Sequence, residues 1–192
     1  MGMAVSLEDV RKDIDDIDLQ IRELLMSRLD CSRRVAEAKQ AVGSTDVYRV
    51  DREQAMLDVL GEGILEERRA PYLAVVRKIT ETSRMYQYGL LYEWNPGVFD
   101  GIEGSELCGG PSDRVTVRLV CPDRPCALST LLSMVGDYGF DMELVELVSS
   151  DKTAGTVTFD LTIRCDVAKD RARCLLFQLS KESADFRIVS VG

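Results

Sequence analysis

SLEDVRKDIDDIDLQIRELLMSRLDCSRRVAEAKQAVG, residues 6–43, decides the fold. Its apolar residues fall at Leu7, Val10, Ile14, Ile17, Ile21, Leu24, Leu25, Cys31, Val35, Ala38 and Val42. The steps alternate mainly between three and four, the period of one stripe along one α-helix. Neither Pro nor Gly interrupts the run before Gly43, and Ser6 with Asp9 three residues later has the form of a capping box. A helix of this length extends about 55 Å at 1.5 Å per residue. A small domain cannot cover such a rod alone, so the pattern predicts a partner helix from a second copy, and hence a homodimer.

Outward from this helix, a second is expected from Asp51 through Met56, Leu57 and Leu60, ending at Gly61 and Gly63. A third is expected from about Pro71, a residue favoured in a first turn, with Tyr72, Val75, Val76, Ile79 and Tyr86 along it. The stretch 94–113, which contains NPGVFDGIEGSELCGGPSD, is rich in Gly, Pro and Ser and lacks Lys and Arg, the composition of an acidic linker. Beyond it the period changes. Strands are expected at Val115–Cys121, Met142–Val148, Thr156–Cys165 and Phe186–Val191, and helices at Cys126–Gly139 and Asp170–Glu182. The reading is an all-α three-helix domain at 1–93, a linker at 94–113, and an α+β domain at 114–192 in the order βαββαβ, the ferredoxin-like plan.

A net charge of -9 argues against nucleic acid as a partner. No window holds about 18 uninterrupted apolar residues, so no membrane span is expected. The six cysteines form no CxxC pair and there is no histidine, so no metal site is expected, and the thiols read as reduced, in a cytoplasmic protein. Without histidine, any mechanism that needs an imidazole base is excluded.

Certain polar residues recur among the helices: Arg11, Arg28, Lys39, Arg52, Glu53, Ser83 and Gln87. Arg28 and Lys39 share a face, about 16 Å apart along the axis. Arg11 lies a further ~25 Å back, so only Arg11 of a second, antiparallel chain can join them on one small molecule. Ser83 and Gln87 stand i, i+4 on one face. By spacing alone, a solvated charged surface is the more ordinary account of these residues.

The pattern LEDVRKDIDDIDLQIRELLMSRLDCSRRVAEAKQ, then VYRVDRE, then SRMYQ, resembles the all-helical chorismate mutases over about residues 6–92. The resemblance implies an intertwined dimer that converts chorismate to prephenate with no cofactor, in the biosynthesis of phenylalanine and tyrosine. It implies substrate binding by Arg11 of the partner chain and by Arg28, Lys39, Arg49, Arg52, Glu53, Ser83 and Gln87. Arg49 departs from the pattern, which often has an acidic residue there, near the substrate hydroxyl.

These residue types suit the reaction. The rearrangement breaks one ether C–O bond and forms one C–C bond with no proton transfer. Two guanidiniums, Arg28 and the partner's Arg11, can hold a folded dicarboxylate. Lys39 and Gln87 can donate to the ether oxygen as negative charge gathers there. Glu53 can accept the ring hydroxyl, and Ser83 can assist a carboxylate. With neutral Gln87 as a donor, activity is expected to vary little between about pH 6 and 8.

In the second half, CPDRPCALSTLL (121–132) followed by GFDMELVEL (139–147) resembles an ACT domain, a module that commonly binds amino acids between two copies. The resemblance implies an effector site at Asp123, Cys126, Ala127, Leu128, Asp141 and Met142, feedback control by phenylalanine or tyrosine, and pairing that could extend a dimer to a tetramer. Cys126 stands where the family has glycine, so a dimerising module that binds nothing is the alternative. Two other functions share the scaffold: a non-catalytic, amino-acid-sensing dimer that regulates a pathway enzyme, and an isochorismate pyruvate lyase.

Overall fold

The computed structural model describes residues 6–124 and 127–192. Its elements run α1 (Leu7–Ala41), α2 (Val50–Leu60), α3 (Glu66–Trp94), two 3-10 turns (Pro96–Phe99 and Ser105–Cys108), β1 (Val115–Pro122), α4 (Ala127–Asp137), β2 (Asp141–Asp151), β3 (Thr156–Arg164), α5 (Asp170–Glu182) and β4 (Asp185–Val191). The chain divides into two compact units, residues 1–44 with 49–87 and residues 45–48 with 88–192.

In the first unit α1 is unbroken for 35 residues. Ser6 precedes it in an extended conformation and its carbonyl accepts the Val10 N–H at 3.1 Å. The expected capping box does not form, because the Ser6 hydroxyl makes no capping bond; Glu8 and Asp9 in the first turn complement the helix dipole instead. At the other end Gly43 takes φ +68°, a left-handed conformation that a side chain would strain. There the Ser44 N–H donates to the Lys39 carbonyl and the Gly43 N–H to the Gln40 carbonyl, the paired bonds of a Schellman stop. The stop therefore sets where α1 ends relative to Lys39.

Only Ser32 and Ala36 of α1 are buried, and no residue of α2 is. Leu7, Val10, Ile14, Ile17, Ile21 and Leu24 lie between 36% and 71% exposed. The stripe that defines the helix is thus left largely uncovered within one chain. α3 begins at Glu66, five residues before the expected start at Pro71. Glu66, Glu67, Arg68, Arg69 and Ala70 all favour helix, and Pro71 gives up only one backbone bond near the start of a long helix.

In the second unit the sheet order is β2-β3-β1-β4, antiparallel at each pairing, the ferredoxin-like arrangement. β1 alternates, with Val115, Val117 and Leu119 buried. Leu161, Ile163, Phe186 and Ile188 are buried on the neighbouring strands, Leu131, Met134 and Val135 on α4, and Leu175, Leu176, Phe177 and Leu179 on α5. These residues form the core. The last turns of α3 belong to it, and Tyr88 is fully buried with its ring edge-on to Phe177 at 5.6 Å. Tyr92 donates its hydroxyl to Asp170 at 3.1 Å.

Residues 94–113 have linker composition but are packed rather than loose. Phe99, Ile102 and Cys108 are buried. The Arg173 guanidinium lies 5.1 Å over the Phe99 ring and donates to the carbonyls of Val167 and Cys108. At Gly104, φ is +84° and a Cβ would fall 2.3 Å from the Ile188 carbonyl oxygen, so glycine permits this close approach to β4. Here the Gly and Pro residues make turns over a small apolar seat.

On the open face of the sheet, Arg118 of β1 grips Asp160 of β3 with two bonds, at 2.6 and 2.7 Å. The two residues are direct cross-strand partners. The bond from Arg118 holds the Asp160 carboxyl below the usual carboxylate range. A lowered folded-state value adds stability above the unfolded carboxylate value, about 3.9, and that stability disappears as pH falls through the folded value. Asp160→Asn is therefore expected to cost about 1–2 kcal/mol at pH 7, with the gap from wild type closing in strong acid. Urea unfolding at several pH values measures it, and an equal gap at every pH refutes the assignment.

Candidate active site

The three helices of the first unit each supply part of the expected set. α1 contributes Arg28 and Lys39. Arg28 is half-buried and its Nη1 donates to the Ser83 hydroxyl oxygen and to the Ile79 carbonyl on α3. The Ser83 hydroxyl in turn donates to the same Ile79 carbonyl at 2.9 Å. Lys39, half-buried in the last turn, lines an open cleft of about 510 Å³ with Cys31, Val35 and Val42 among its walls.

α3 contributes Ser83 and Gln87, both buried, one turn apart. The Gln87 amide nitrogen donates to the Ser83 carbonyl at 3.2 Å. That nitrogen carries two N–H groups, so this bond accounts for one of its donors. Arg49 precedes α2 as its N-cap, and its backbone carbonyl accepts the Glu53 N–H at 3.0 Å. Arg49 and Arg52 are exposed, and Glu53 turns inward and is half-buried.

One residue of this cluster escaped the sequence reading. Arg84, next to Ser83, is 4% exposed, and its Nη1 meets both carboxylate oxygens of Glu53, at 2.6 and 2.5 Å. The signal was its place on the stripe Val76, Thr80, Tyr88 and Leu91, where a helical face otherwise turns inward. An arginine on such a face needs a charged partner, and Glu53 is that partner.

One chain brings together Arg28 with Ser83, Ser83 with Gln87, and Glu53 with Arg84. It does not bring Arg11 to them: Arg11 is exposed, about 25 Å along α1 from Arg28.

Of the expected effector residues, Cys126 lies outside the described residues. Asp123 is exposed and its N–H donates to the Gly155 carbonyl at 2.8 Å. Ala127 and Leu128 open α4, half-buried, and Asp141 and Met142 open β2, exposed. The 11 residues of α4 hold the two pairs about 16 Å apart along its axis. Among the described residues no group of His, Cys, Asp or Glu could hold a metal ion. None of the described helices is long and apolar enough to cross a membrane.

Residues 10–88 match the family model of chorismate mutase type II. Over that span the chain is similar to the type II chorismate mutases. Arg11, Arg28, Lys39, Arg49, Arg52, Glu53, Ser83, Arg84 and Gln87 all lie inside the matched span. The mutase match ends at Tyr88, where the chain passes into the second unit.

A solved structure described as GqqA, a novel type of quorum quenching acylases, is 21% identical and covers 43% of this chain and 42% of its own, with a TM-score of 0.39. A prephenate dehydratase in complex with L-Phe from Arthrobacter aurescens is 23% identical and covers 42% of this chain and 26% of its own, with a TM-score of 0.37. The chain thus spans less than half the length of either, and at these scores neither likeness bears on function. Comparison with curated proteins finds no match.

Proposed function

We propose that this chain rearranges chorismate to prephenate, using two copies to complete each site. The observation that carries the reading is the cluster of Arg28, Ser83, Gln87 and Glu53 on three helices within the span matched by the mutase family. Arg28 holds one substrate carboxylate, with Ser83 fixing the guanidinium. Arg11 of a second copy holds the other carboxylate. Together they keep the side chain folded over the ring, which removes conformational freedom before the bonds change. Lys39 and the remaining Gln87 donor stabilise the charge that gathers on the ether oxygen. Glu53 accepts the ring hydroxyl.

Support for the second copy comes from the exposed stripe on α1. Six large apolar residues at helical spacing form a seam a soluble protein rarely leaves bare. We further propose that residues 114–192 form an ACT-like module that takes phenylalanine or tyrosine. Because α4 separates Ala127 and Leu128 from Asp141 and Met142, such a ligand would be shared between two copies.

Two measurements test these readings. Purified protein mixed with chorismate is expected to consume it and yield prephenate; unchanged chorismate refutes the mutase reading, and release of pyruvate from isochorismate would assign the lyase in its place. Millimolar phenylalanine or tyrosine is expected to raise the melting temperature, since a ligand of the folded state must do so. No shift with either refutes effector binding and leaves the second unit a structural module.

A further inference from the structure

We infer that Arg84 is a positioning residue for Glu53, and that the pair reads the ring hydroxyl of the substrate. The inference rests on the mutase reading above and deepens it.

The contact joins distant parts of the chain, from the first turn of α2 to the buried face of α3. The Arg84 side chain is 5% exposed and that of Glu53 is 24% exposed. A single nitrogen, Nη1, sits end-on to both carboxylate oxygens, at 2.6 and 2.5 Å. An end-on cation between two oxygens fixes the direction of the carboxylate. Each oxygen has two lone-pair sites, so the pair leaves acceptor capacity for a further donor.

Stability alone is a weak reason for such a pair. An apolar side chain at 84 would pack this face at no desolvation cost, and replacing buried ion pairs in that way is often neutral or stabilising. Arg84 offers one thing an apolar residue cannot: it holds the Glu53 carboxylate in one orientation toward the ring hydroxyl. Its neighbours on α3 are Ser83 and, three residues on, Gln87, so it lies within the same cluster.

The test compares wild type, Arg84→Met, Arg84→Lys, Glu53→Gln and the double variant R84M/E53Q on chorismate and on an analogue with hydrogen in place of the ring hydroxyl. R84M is expected to lower kcat/KM on chorismate by about 100-fold, the scale of a small misplacement of a working group. The double variant should lose no more than E53Q alone. On the analogue, R84M and wild type should turn over alike. Losses that multiply in the double variant, or that persist on the analogue, overturn the inference. If R84M does not fold, R84K keeps the charge without the planar fork; a partial loss confined to chorismate then supports the inference, and an equal loss on both substrates overturns it. A wild-type chain that leaves chorismate unchanged overturns the mutase reading along with it, whereas an active wild type with additive variants overturns only the role given to Arg84.

Discussion

Lys39→Ala is expected to lower kcat by about 10²–10³-fold, the cost of removing one donor from a developing oxyanion. The fold should survive the change. Alanine is the best helix former, and what ends the helix at this point is the backbone, through the Ser44 N–H on the Lys39 carbonyl and the left-handed Gly43. Losing a cation from the last turn costs about 0.3–1 kcal/mol against the helix dipole. The signature is therefore a collapse of turnover with circular dichroism and melting temperature nearly unchanged. Near wild-type turnover would remove Lys39 from the chemistry and with it the electrostatic account of the rate.

Ile14→Asp with Ile21→Asp is expected to abolish activity by a different route. Both residues lie on the α1 stripe, 50% and 45% exposed within one chain. In a lone chain, exposed substitutions of this kind would shift stability by only about 0.5 kcal/mol. Against a partner helix each isoleucine contributes about 2 kcal/mol of burial, counted in both copies, and the introduced carboxylates would be desolvated. Dissociation withholds Arg11 from the site of the other copy, and turnover is lost although no site residue has been changed. Sedimentation and turnover measured on the same sample check this. A double variant that stays fully active, or a wild type that is active as a monomer, would rule out the shared site.

The long helix was legible because its signal is redundant: eleven apolar positions at one period, with no breaker before Gly43. The strands of the second unit were legible where alternation is sharp, as in TVTFDLTIR at 156–164. β2 runs to Asp151 rather than stopping at Val148, because Ser149, Ser150 and Asp151 pair by register with Thr158, Val157 and Thr156. Backbone bonds extend a strand through polar residues that side-chain patterning ignores. The Asp151 carboxylate then accepts the N–H groups of Thr153 and Ala154 to close the hairpin. The packing of residues 94–113 was hidden because its apolar seat needs only Phe99, Ile102 and Cys108, too few to show a period. Arg28, Lys39, Glu53, Ser83 and Gln87 could be named from the motif. The ion pair from Arg84 to Glu53 could not, since it spans 31 residues and depends on how α2 meets α3.

Tyr88 and Tyr92 have a practical consequence for anyone who divides this gene. A cut at residue 93, where composition places the border, would carry both tyrosines away with the mutase fragment. They would leave it as bare aromatic rings at a fraying terminus. The remaining fragment would have an unfilled slot beside Phe177 and an Asp170 without its phenol. The two halves are therefore poor candidates for free exchange as interchangeable modules, because the last turns of one helix are cut to fit its C-terminal neighbour.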